Sequence, residues 1–398
     1  MTARPRIGDE QRRARLAVRH ALAPEHQAAS VSAATEAVVA LHATEPANVH
    51  LAAFARSGAT RDEVDHALYV ERSVVKQLAM RRTVFVFPRE LLPAVWGSAS
   101  ARVARQQRDR LARDVVKEGI AADGPAWVDE ATRAVLALLH ERGPLSTAEL
   151  RGELPSLESR LTYAEGKAYG ANIPIAPRVL TTLAASGAVL RGDNDGGWKL
   201  SRPRWTVTSH WLGSEPQPLD ERAGYATVVE AWLRAFGPGT EADLVWWLGA
   251  TTGAVRRALT DVGAVEVDLD GGGTGLVLPD DVDPVPAPGR WAALLPALDP
   301  TTMGWKERGF YLGSHAGLLF DRNGNAGPTA WLDGRVVGGW TQKDDGQVVV
   351  VPCEELDAAG ARLLERQAAR LTEWLDGDVV RTIYQSPLVR AGDSSSSM

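Results

Sequence analysis

The feature that most constrains the fold is a unit that recurs along the chain. Each copy has two helical segments separated by a turn, a third helical segment, and two strands joined by a Gly-rich turn. The clearest copies cover residues 130–205 and 225–281. Both place a Gly-Pro turn before a helix that begins with Thr, Glu and Leu, and both open a strand with Gly-Ala-Val. An internal repeat predicts tandem structural units rather than one large core.

The N-terminal region contains a less regular copy. A cap at Ser30 or Ser32 opens the second helix, and Thr60 caps the third. Three helices followed by a two-stranded hairpin form a winged helix, a variant of the helix-turn-helix motif. The helices are predicted over 9–22, 31–42 and 60–70, and the hairpin over 74–88.

The C-terminal region differs in pattern from the repeats. A Pro-rich linker (282–289) leads into segments typical of strands, among them WAALLPALDP, GFYLG and GQVVVVP. A helix is predicted over 355–375, and the final DSSSSM is expected to be disordered. We therefore predict a mainly α fold with β wings (α+β), consisting of three tandem winged helices and a C-terminal β-barrel-like domain. The predicted boundaries are 1–120, 121–215, 216–285 and 286–398.

Charge is distributed unevenly along the chain. The whole protein has a formal net charge of −6, yet residues 1–113 hold 18 Lys and Arg against 11 Asp and Glu. The remainder holds 26 against 39. This asymmetry predicts one basic working face on an acidic body. Arg102, Arg105 and Arg108 repeat near the helical period, which suits a strip that tracks phosphates or, alternatively, a solvated helix face.

Several classes of protein are excluded by composition. The sequence contains no stretch of 18 consecutive apolar residues, so no membrane-spanning helix is predicted. The N-terminus lacks the apolar core of a secretory signal. The single cysteine, Cys353, excludes an intramolecular disulfide and a multi-cysteine metal site. The histidines lack metal-ligand spacing, so we expect no metal and no cofactor. A cytoplasmic protein is expected, associated with the nucleoid when bound to DNA.

Four segments carry a resemblance to a known family: LHATEPANVHLAAFAR (41–56), AMRRTVFVFP (79–88), LLPALDPTTMGWKERGFYLG (294–313) and GPTAWLDGRVVGGW (327–340). They resemble those of the tandem winged-helix DNA glycosylases of the AlkZ/YcaQ type, and the resemblance spans about residues 7–390. It implies three winged helices arranged in a C around duplex DNA and closed by a C-terminal β-barrel. It also implies hydrolytic removal of N7-alkylated or bulky guanine adducts without a metal, and for some members the unhooking of interstrand crosslinks.

The chain departs from this family at the catalytic signature. The family motif is Gln-x-Gln or Gln-x-Asp immediately before Glu-Pro, and the matching residues here are His42-Ala43-Thr44 before Glu45-Pro46. His42 and Thr44 are the candidates for orienting a water at C1′, with neutral His42 as a general base. Glu45 is interpreted as a positioning or helix-terminal group, or as a carboxylate that supports an oxocarbenium ion. Alternatively, His42 is a core or helix-terminal histidine.

Spacing decides whether His42 and Thr44 can share a water. Residues i and i+2 lie about 200° apart on a helix, but project to the same side of an extended segment. Pro46 disfavours helical geometry at Glu45, so the preceding helix is expected to end near here.

Further DNA contacts are predicted at basic residues near the first hairpin, on a recognition helix and after the segment DPTTMGW. The alternative for each is surface solubility. Trp232, Trp246 and Trp247 are expected to build the core of the third winged helix rather than to stack on bases. These basic residues are Arg81, Arg82, Arg256, Arg257, Lys306 and Arg308.

The predicted function is a monomeric, monofunctional DNA glycosylase acting on double-stranded DNA. It excises bulky or alkylated purines, N7-alkylguanine adducts above all, with interstrand crosslinks as a further candidate substrate, in DNA repair or in self-resistance to a genotoxic natural product. The alternative is a non-catalytic winged-helix DNA-binding protein, either a regulator or an adduct-sequestering resistance protein. A third class, a protein-interaction module, suits the net negative charge.

Overall fold

The computed structural model describes residues 4–163 and 171–390 and has a mixed α/β fold. Within these ranges, no helix is long and apolar enough to cross a membrane. The helices are α1 (Asp9–Arg19), α2 (Val31–Glu36), α3 (Pro46–Ser57), α4 (Arg61–Asp65), α5 (Leu92–Val95), α6 (Ala101–Lys117), α7 (Gly124–Arg142), α8 (Thr147–Glu153), α9 (Ala176–Ala185), α10 (Thr208–Leu212), α11 (Glu221–Phe236), α12 (Glu241–Leu248), α13 (Thr252–Asp261), α14 (Pro300–Met303), α15 (Gly309–Leu312), α16 (Ala316–Leu319) and α17 (Ala358–Leu375).

The strands form small antiparallel pairs and one larger sheet. The pairs are β4–β5, β6–β7 and β8–β9, whereas β1, β3 and β2 line up in that order in a three-stranded sheet. The strands are β1 (Leu41–His42), β2 (Val74–Ala79), β3 (Thr83–Pro88), β4 (Arg160–Tyr163), β5 (Ala171–Pro174), β6 (Val189–Asn194), β7 (Pro203–Val207), β8 (Val265–Asp268), β9 (Thr274–Val277), β10 (Ala292–Leu295), β11 (Thr329–Leu332), β12 (Arg335–Gln342) and β13 (Val348–Pro352).

The described residues fall into two compact units. The first unit contains residues 4–74, 86–89 and 226–390, and the second contains 75–85, 90–163 and 171–225. This division is based on contacts between residues in space and does not follow the boundaries of the sequence repeats. The four domain boundaries proposed from the sequence therefore stay predictions.

The first unit contains an open antiparallel sheet in the order β10-β11-β12-β13, and α17 packs against it. Ala293 pairs with Trp331, and Trp340 pairs with Val350. Because β10 and β13 remain at the two ends of this order, the closed barrel implied by the resemblance is not formed by the described strands.

Aromatic side chains form much of the first unit's core. Trp305 meets the ring of Phe236 edge-on at 5.1 Å, and Tyr311 stacks on Trp331 at 5.1 Å. Trp232 is fully buried, as is most of Trp247, which confirms their predicted place in the core. Aromatic contacts of this kind stabilise both by burial and by ring geometry.

In the second unit, α6 packs against α7 and α9, and β6 pairs with β7. Gln77 is a buried polar junction in this unit. Its amide donates to Ser100 Oγ at 2.9 Å and to the Ala184 carbonyl at 2.7 Å, and its Oε1 accepts from Trp96 Nε1 at 2.9 Å. These hydrogen bonds satisfy the buried amide of Gln77, which would otherwise cost free energy to remove from water.

Helix caps confirm the starts that the sequence predicts. Ser30 accepts from Ala33 N, so Ser30 rather than Ser32 caps α2. Thr60, Ser146 and Thr240 each form a capping box with the third residue of the helix that follows. The predicted hairpin over 74–88 is present, and the two strands predicted in each clear repeat copy are β6 with β7 and β8 with β9.

Two predicted elements differ in the structure. The helix predicted over 31–42 ends at Glu36, because Val39 has a positive φ of 65° and the chain then continues as β1. GFYLG was predicted as a strand but forms α15. Pro46 keeps Glu45 extended, as expected, but it also begins α3, a helix that was not predicted from the sequence; proline suits this first position, where a missing N–H costs nothing. The predicted tail DSSSSM lies outside the described residues.

Candidate active site

The segment that carries the signature residues is extended, as predicted. Leu41 and Ala43 are buried, whereas His42 is half-buried and Thr44 is exposed. This alternation is what an extended chain produces when one side faces the core. His42 and Thr44 therefore lie on the outward side of the same short segment.

Glu45 ends that segment and precedes α3. Its backbone is extended, with φ −104° and ψ 118°, and its carbonyl accepts the first helical hydrogen bond, from Asn48 N at 3.1 Å. Pro46 fixes both features, since proline favours an extended residue before it and suits the first turn of a helix.

The Glu45 carboxylate is held by three donors from this chain. Oε2 accepts from Thr382 Oγ1 at 2.7 Å and from Asn48 Nδ2 at 3.2 Å. Oε1 accepts from the backbone N–H of Ile383 at 2.9 Å. A carboxylate with this many donors is fixed in place. It joins the start of α3 to the C-terminal segment 380–385.

A small cavity lies beside this junction. Its volume is about 30 Å³, and Asn48, Trp340, Gln342 and Thr382 are among its lining residues. Such a volume suits one or two water molecules rather than a nucleobase. This cavity is therefore too small to hold a nucleobase.

Gln342, at the end of β12, holds the same C-terminal segment from its other side. Its amide donates to the Asp378 carbonyl at 3.0 Å, and its Oε1 accepts from Val380 N at 2.8 Å. Arg381 donates to the Gln342 carbonyl and, at 2.8 Å, to Asp344. Segment 380–385 is thus tied to the sheet and to Glu45.

A buried ion pair supports α3 from behind. Arg56 and Asp299 are fully buried, and the guanidinium meets both carboxylate oxygens at 2.6 and 2.9 Å. Arg56 also donates to Thr301 Oγ1 at 2.8 Å, and that hydroxyl lies 2.9 Å from His20 Nδ1. Burial holds the pKa of His20 well below its usual range. Asp299 is also the cap of α14.

The segment DPTTMGW leads into a loop fixed by Asp243. Its Oδ1 accepts from the backbone N–H groups of Lys306 at 2.7 Å and Glu307 at 3.0 Å, so the exposed Lys306 side chain starts from an ordered backbone. Arg308 lies over the rings of Trp246 and Phe320, at 5.0 and 4.6 Å, and burial lowers its pKa. These contacts give Arg308 a structural role in the first unit.

The remaining predicted DNA contacts occur on both units. In the second unit, Arg81 and Arg82 are exposed at the tip of the first hairpin. On α6, Arg108 forms a bidentate pair with Asp129 and Arg105 lies 3.4 Å from Glu221. These carboxylates reduce the positive charge of the predicted strip.

Three other predicted contacts lie on α6 and α13. Arg102 is half-buried on α6 and lies close enough to Tyr225 to lower the pKa of its phenol, although burial of Tyr225 has the larger, opposite effect. In the first unit, Arg257 is exposed on α13, whereas the neighbouring Arg256 forms a bidentate pair with Glu241.

Sequence reasoning missed several residues around Glu45. The contact between Asn48 and Glu45 could have been found from local sequence. Pro46 marks the first position of a helix, so Asn48 is the third residue of that helix and lies beside the capping residue Glu45. Thr382 and Ile383 had none, because they are more than 330 residues from Glu45 along the chain.

The comparisons with known proteins decide the family. The model of the family described as DNA glycosylase AlkZ-like matches residues 35–374. The chain belongs to the AlkZ-like DNA glycosylase family. Membership makes it a DNA glycosylase, an enzyme of DNA repair that acts on DNA.

A solved structure agrees with the family. The DNA glycosylase AlkZ of Streptomyces sahachiroi matches with a TM-score of 0.75, over 94% of this chain and 98% of that chain, at 21% identity. At this identity the likeness establishes the fold. A search of the curated proteins finds no match.

Proposed function

We propose that this glycosylase excises bulky or alkylated purines, N7-alkylguanine adducts above all, by water attack at C1′. The observation that carries this proposal is the alternating burial of residues 41–44, which places His42 and Thr44 on one outward side. The family assignment supplies the reaction class, and three tandem winged helices are proposed to hold the duplex.

Hydrolysis of this glycosidic bond requires the protein mainly to position the reacting groups. An N7-alkylated guanine is cationic and leaves readily, so the enzyme must place a water and stabilise an oxocarbenium-like sugar. Neutral His42 accepts a proton from the water, and the Thr44 hydroxyl holds the water or a phosphate oxygen. The water oxygen bonds to C1′ as the C1′–N9 bond breaks, which frees the base and leaves an abasic site.

Glu45 acts in this proposal as a positioning residue. Its carboxylate already accepts three hydrogen bonds from the chain, so its first role is to hold segment 380–385 and α3. Its negative charge beside Thr44 also favours a developing sugar cation.

Base release tests the proposal directly. Purified protein is incubated with duplex DNA carrying N7-methylguanine or a bulky N7 adduct, and the freed base is measured by mass spectrometry. Release that is lost in His42→Ala and strongly reduced in Thr44→Val supports the assignment, and the exposed His26→Ala is the matched control. An unchanged rate in His42→Ala removes His42 from the mechanism.

The second candidate is a non-catalytic DNA-binding protein that recognises or sequesters adducts. The observation that favours it is the replacement of both family glutamine positions by His42 and Thr44. Binding to an adducted duplex that falls with salt, without release of any base, supports this candidate. Comparing methyl, bulky and crosslinked substrates in the same assay separates general repair from self-resistance to a particular toxin.

A further inference from the structure

Ile383 is an apolar side chain exposed beside the candidate active site. It is 80% exposed, the highest value among the large hydrophobic residues that the structure describes, ahead of Val70 at 66%. A single exposed apolar residue is ordinary on a protein surface. Ile383 differs from other exposed apolar residues in two ways: it lies beside the candidate site, and hydrogen bonds hold its backbone.

The backbone that carries Ile383 is ordered by hydrogen bonds on two sides. The Ile383 N–H and the Thr382 hydroxyl donate to Glu45, and Tyr384 N donates to Thr382 Oγ1 at 3.0 Å. Gln342 holds Val380 on the other side. A tip fixed in this way presents its side chain in one place, which is what a contact residue requires.

This tip lies next to the signature residues. Thr44 directly precedes Glu45, whose Oε1 lies 2.9 Å from the Ile383 nitrogen. His42 and Thr44 face outward from the same segment. The backbone of Ile383 therefore lies beside the segment that carries His42 and Thr44.

Resting on the proposed function, we propose that Ile383 is an apolar wedge that inserts between base pairs beside the damaged nucleotide, and that Glu45 positions it. Apolar side chains that enter a base step partly unstack it and bend the duplex. Such a wedge suits a site whose neighbouring cavity is too small for a nucleobase, because it opens the stack around the adduct while the adducted base stays near the helix.

The test follows base stacking separately from base release. The duplex carries 2-aminopurine next to N7-methyl-2′-fluoro-deoxyguanosine, since the 2′-fluorine disfavours the oxocarbenium-like sugar and keeps the base attached. The full-length protein is expected to raise the 2-aminopurine fluorescence on binding. Ile383→Ala is expected to lose most of this rise and to bind about tenfold more weakly, as expected when most of a buried Ile side chain is removed.

Three further variants make the result specific. Ile383→Leu keeps the apolar volume and is expected to restore the fluorescence rise, whereas Val70→Ala, a matched exposed apolar residue, is expected to behave as the parent protein. Glu45→Ala is expected to reduce the rise, and its effect is expected not to add to that of Ile383→Ala because the two residues act together.

The outcomes separate the wedge from the proposed function. Salt-sensitive binding with an equal fluorescence rise in the parent and Ile383→Ala overturns the wedge alone. Absence of duplex binding by the parent overturns the proposed function as well. If the parent self-associates in sedimentation and Ile383→Ala does not, Ile383 contacts a second copy, and the wedge assignment is again overturned.

Discussion

At the scale of single residues, Arg56 and Asp299 show how a buried charge supports the candidate site. The pair ties α3, which begins next to Glu45, to the start of α14. Such pairs contribute little net stability compared with an apolar replacement, but breaking one leaves an uncompensated buried charge. The pair therefore fixes the position of α3 rather than adding greatly to the free energy of unfolding.

Asp299→Ala is predicted to destabilise the protein strongly. It leaves the Arg56 guanidinium buried without its partner, so the free energy of unfolding is expected to fall by about 3–5 kcal/mol. Urea denaturation measures the change. Arg256→Ala is the control, because its pair with Glu241 is on the surface and is worth about 0–1 kcal/mol. Equal losses in the two variants would contradict the role given to the buried pair.

His20 is predicted to make stability depend on pH. Burial lowers its pKa, so the folded protein keeps His20 neutral while the unfolded chain binds a proton below about pH 6.5. The unfolded state then binds more protons, and stability falls as the pH decreases, approaching about 1.4 kcal/mol per pH unit well below pH 6.5.

Urea denaturation between pH 5 and 7 checks this contribution. His20→Gln is expected to be less stable at pH 7 and to show a shallower pH dependence, whereas the exposed His26→Gln keeps the full dependence. A His20→Gln slope identical to that of the parent would show that His20 does not remain neutral in the folded protein.

At the scale of elements, the first hairpin carries two arginines in a backbone region that favours glycine. Arg81 and Arg82 have φ values of 54° and 58°, and both are exposed at the tip. Non-glycine residues with positive φ are uncommon and costly. We propose that the two arginines bind DNA phosphates, which would offset the cost of this backbone geometry.

The double variant Arg81→Asn/Arg82→Asn separates charge from backbone strain. Asparagine tolerates positive φ, so thermal stability is expected to stay equal or to rise slightly. Affinity for duplex DNA is expected to fall, and the slope of log K against log salt to decrease by about 1 for each arginine. Arg362→Asn, an exposed residue of α17, is the control. An unchanged slope in the double variant would exclude phosphate contacts at the tip.

The elements also show what local sequence can predict. Caps at Thr60, Ser146 and Thr240 and the hairpins were predictable, because each depends on neighbouring residues. Helix α3 was missed, since the effect of Pro46 on the residue before it was recognised but its fit to the first turn of a following helix was not. Within the site, the outward side of His42 and Thr44 followed from spacing. The partners of Glu45 did not, because contacts across the fold leave no local pattern.

At the scale of the whole molecule, a chain of net charge −6 acts on a polyanion. Its positive charge is concentrated in residues 1–113, part of which forms the tip of the first hairpin and α6. Several of the α6 arginines face carboxylates. Local clusters rather than net charge must therefore account for the attraction to DNA.

Duplex binding by the parent protein is predicted to fall steeply with salt. If the protein contacts about 6–10 phosphates, affinity is expected to drop by about 10³–10⁵ between 50 and 200 mM salt. Fluorescence anisotropy with a labelled duplex measures the slope. A flat response would indicate that residues 1–113 provide no phosphate-binding face.

The bond between Glu45 and Ile383 also has a consequence for the protein as it is made. The two residues are 338 positions apart. At about 5–20 residues per second, a ribosome needs roughly 20–70 s to travel from one codon to the other. Throughout that time the nascent chain carries His42 and Thr44 without the segment that completes their surroundings. A truncated translation product that ends before Thr382 therefore lacks two of the three donors that hold the Glu45 carboxylate, those of Thr382 and Ile383.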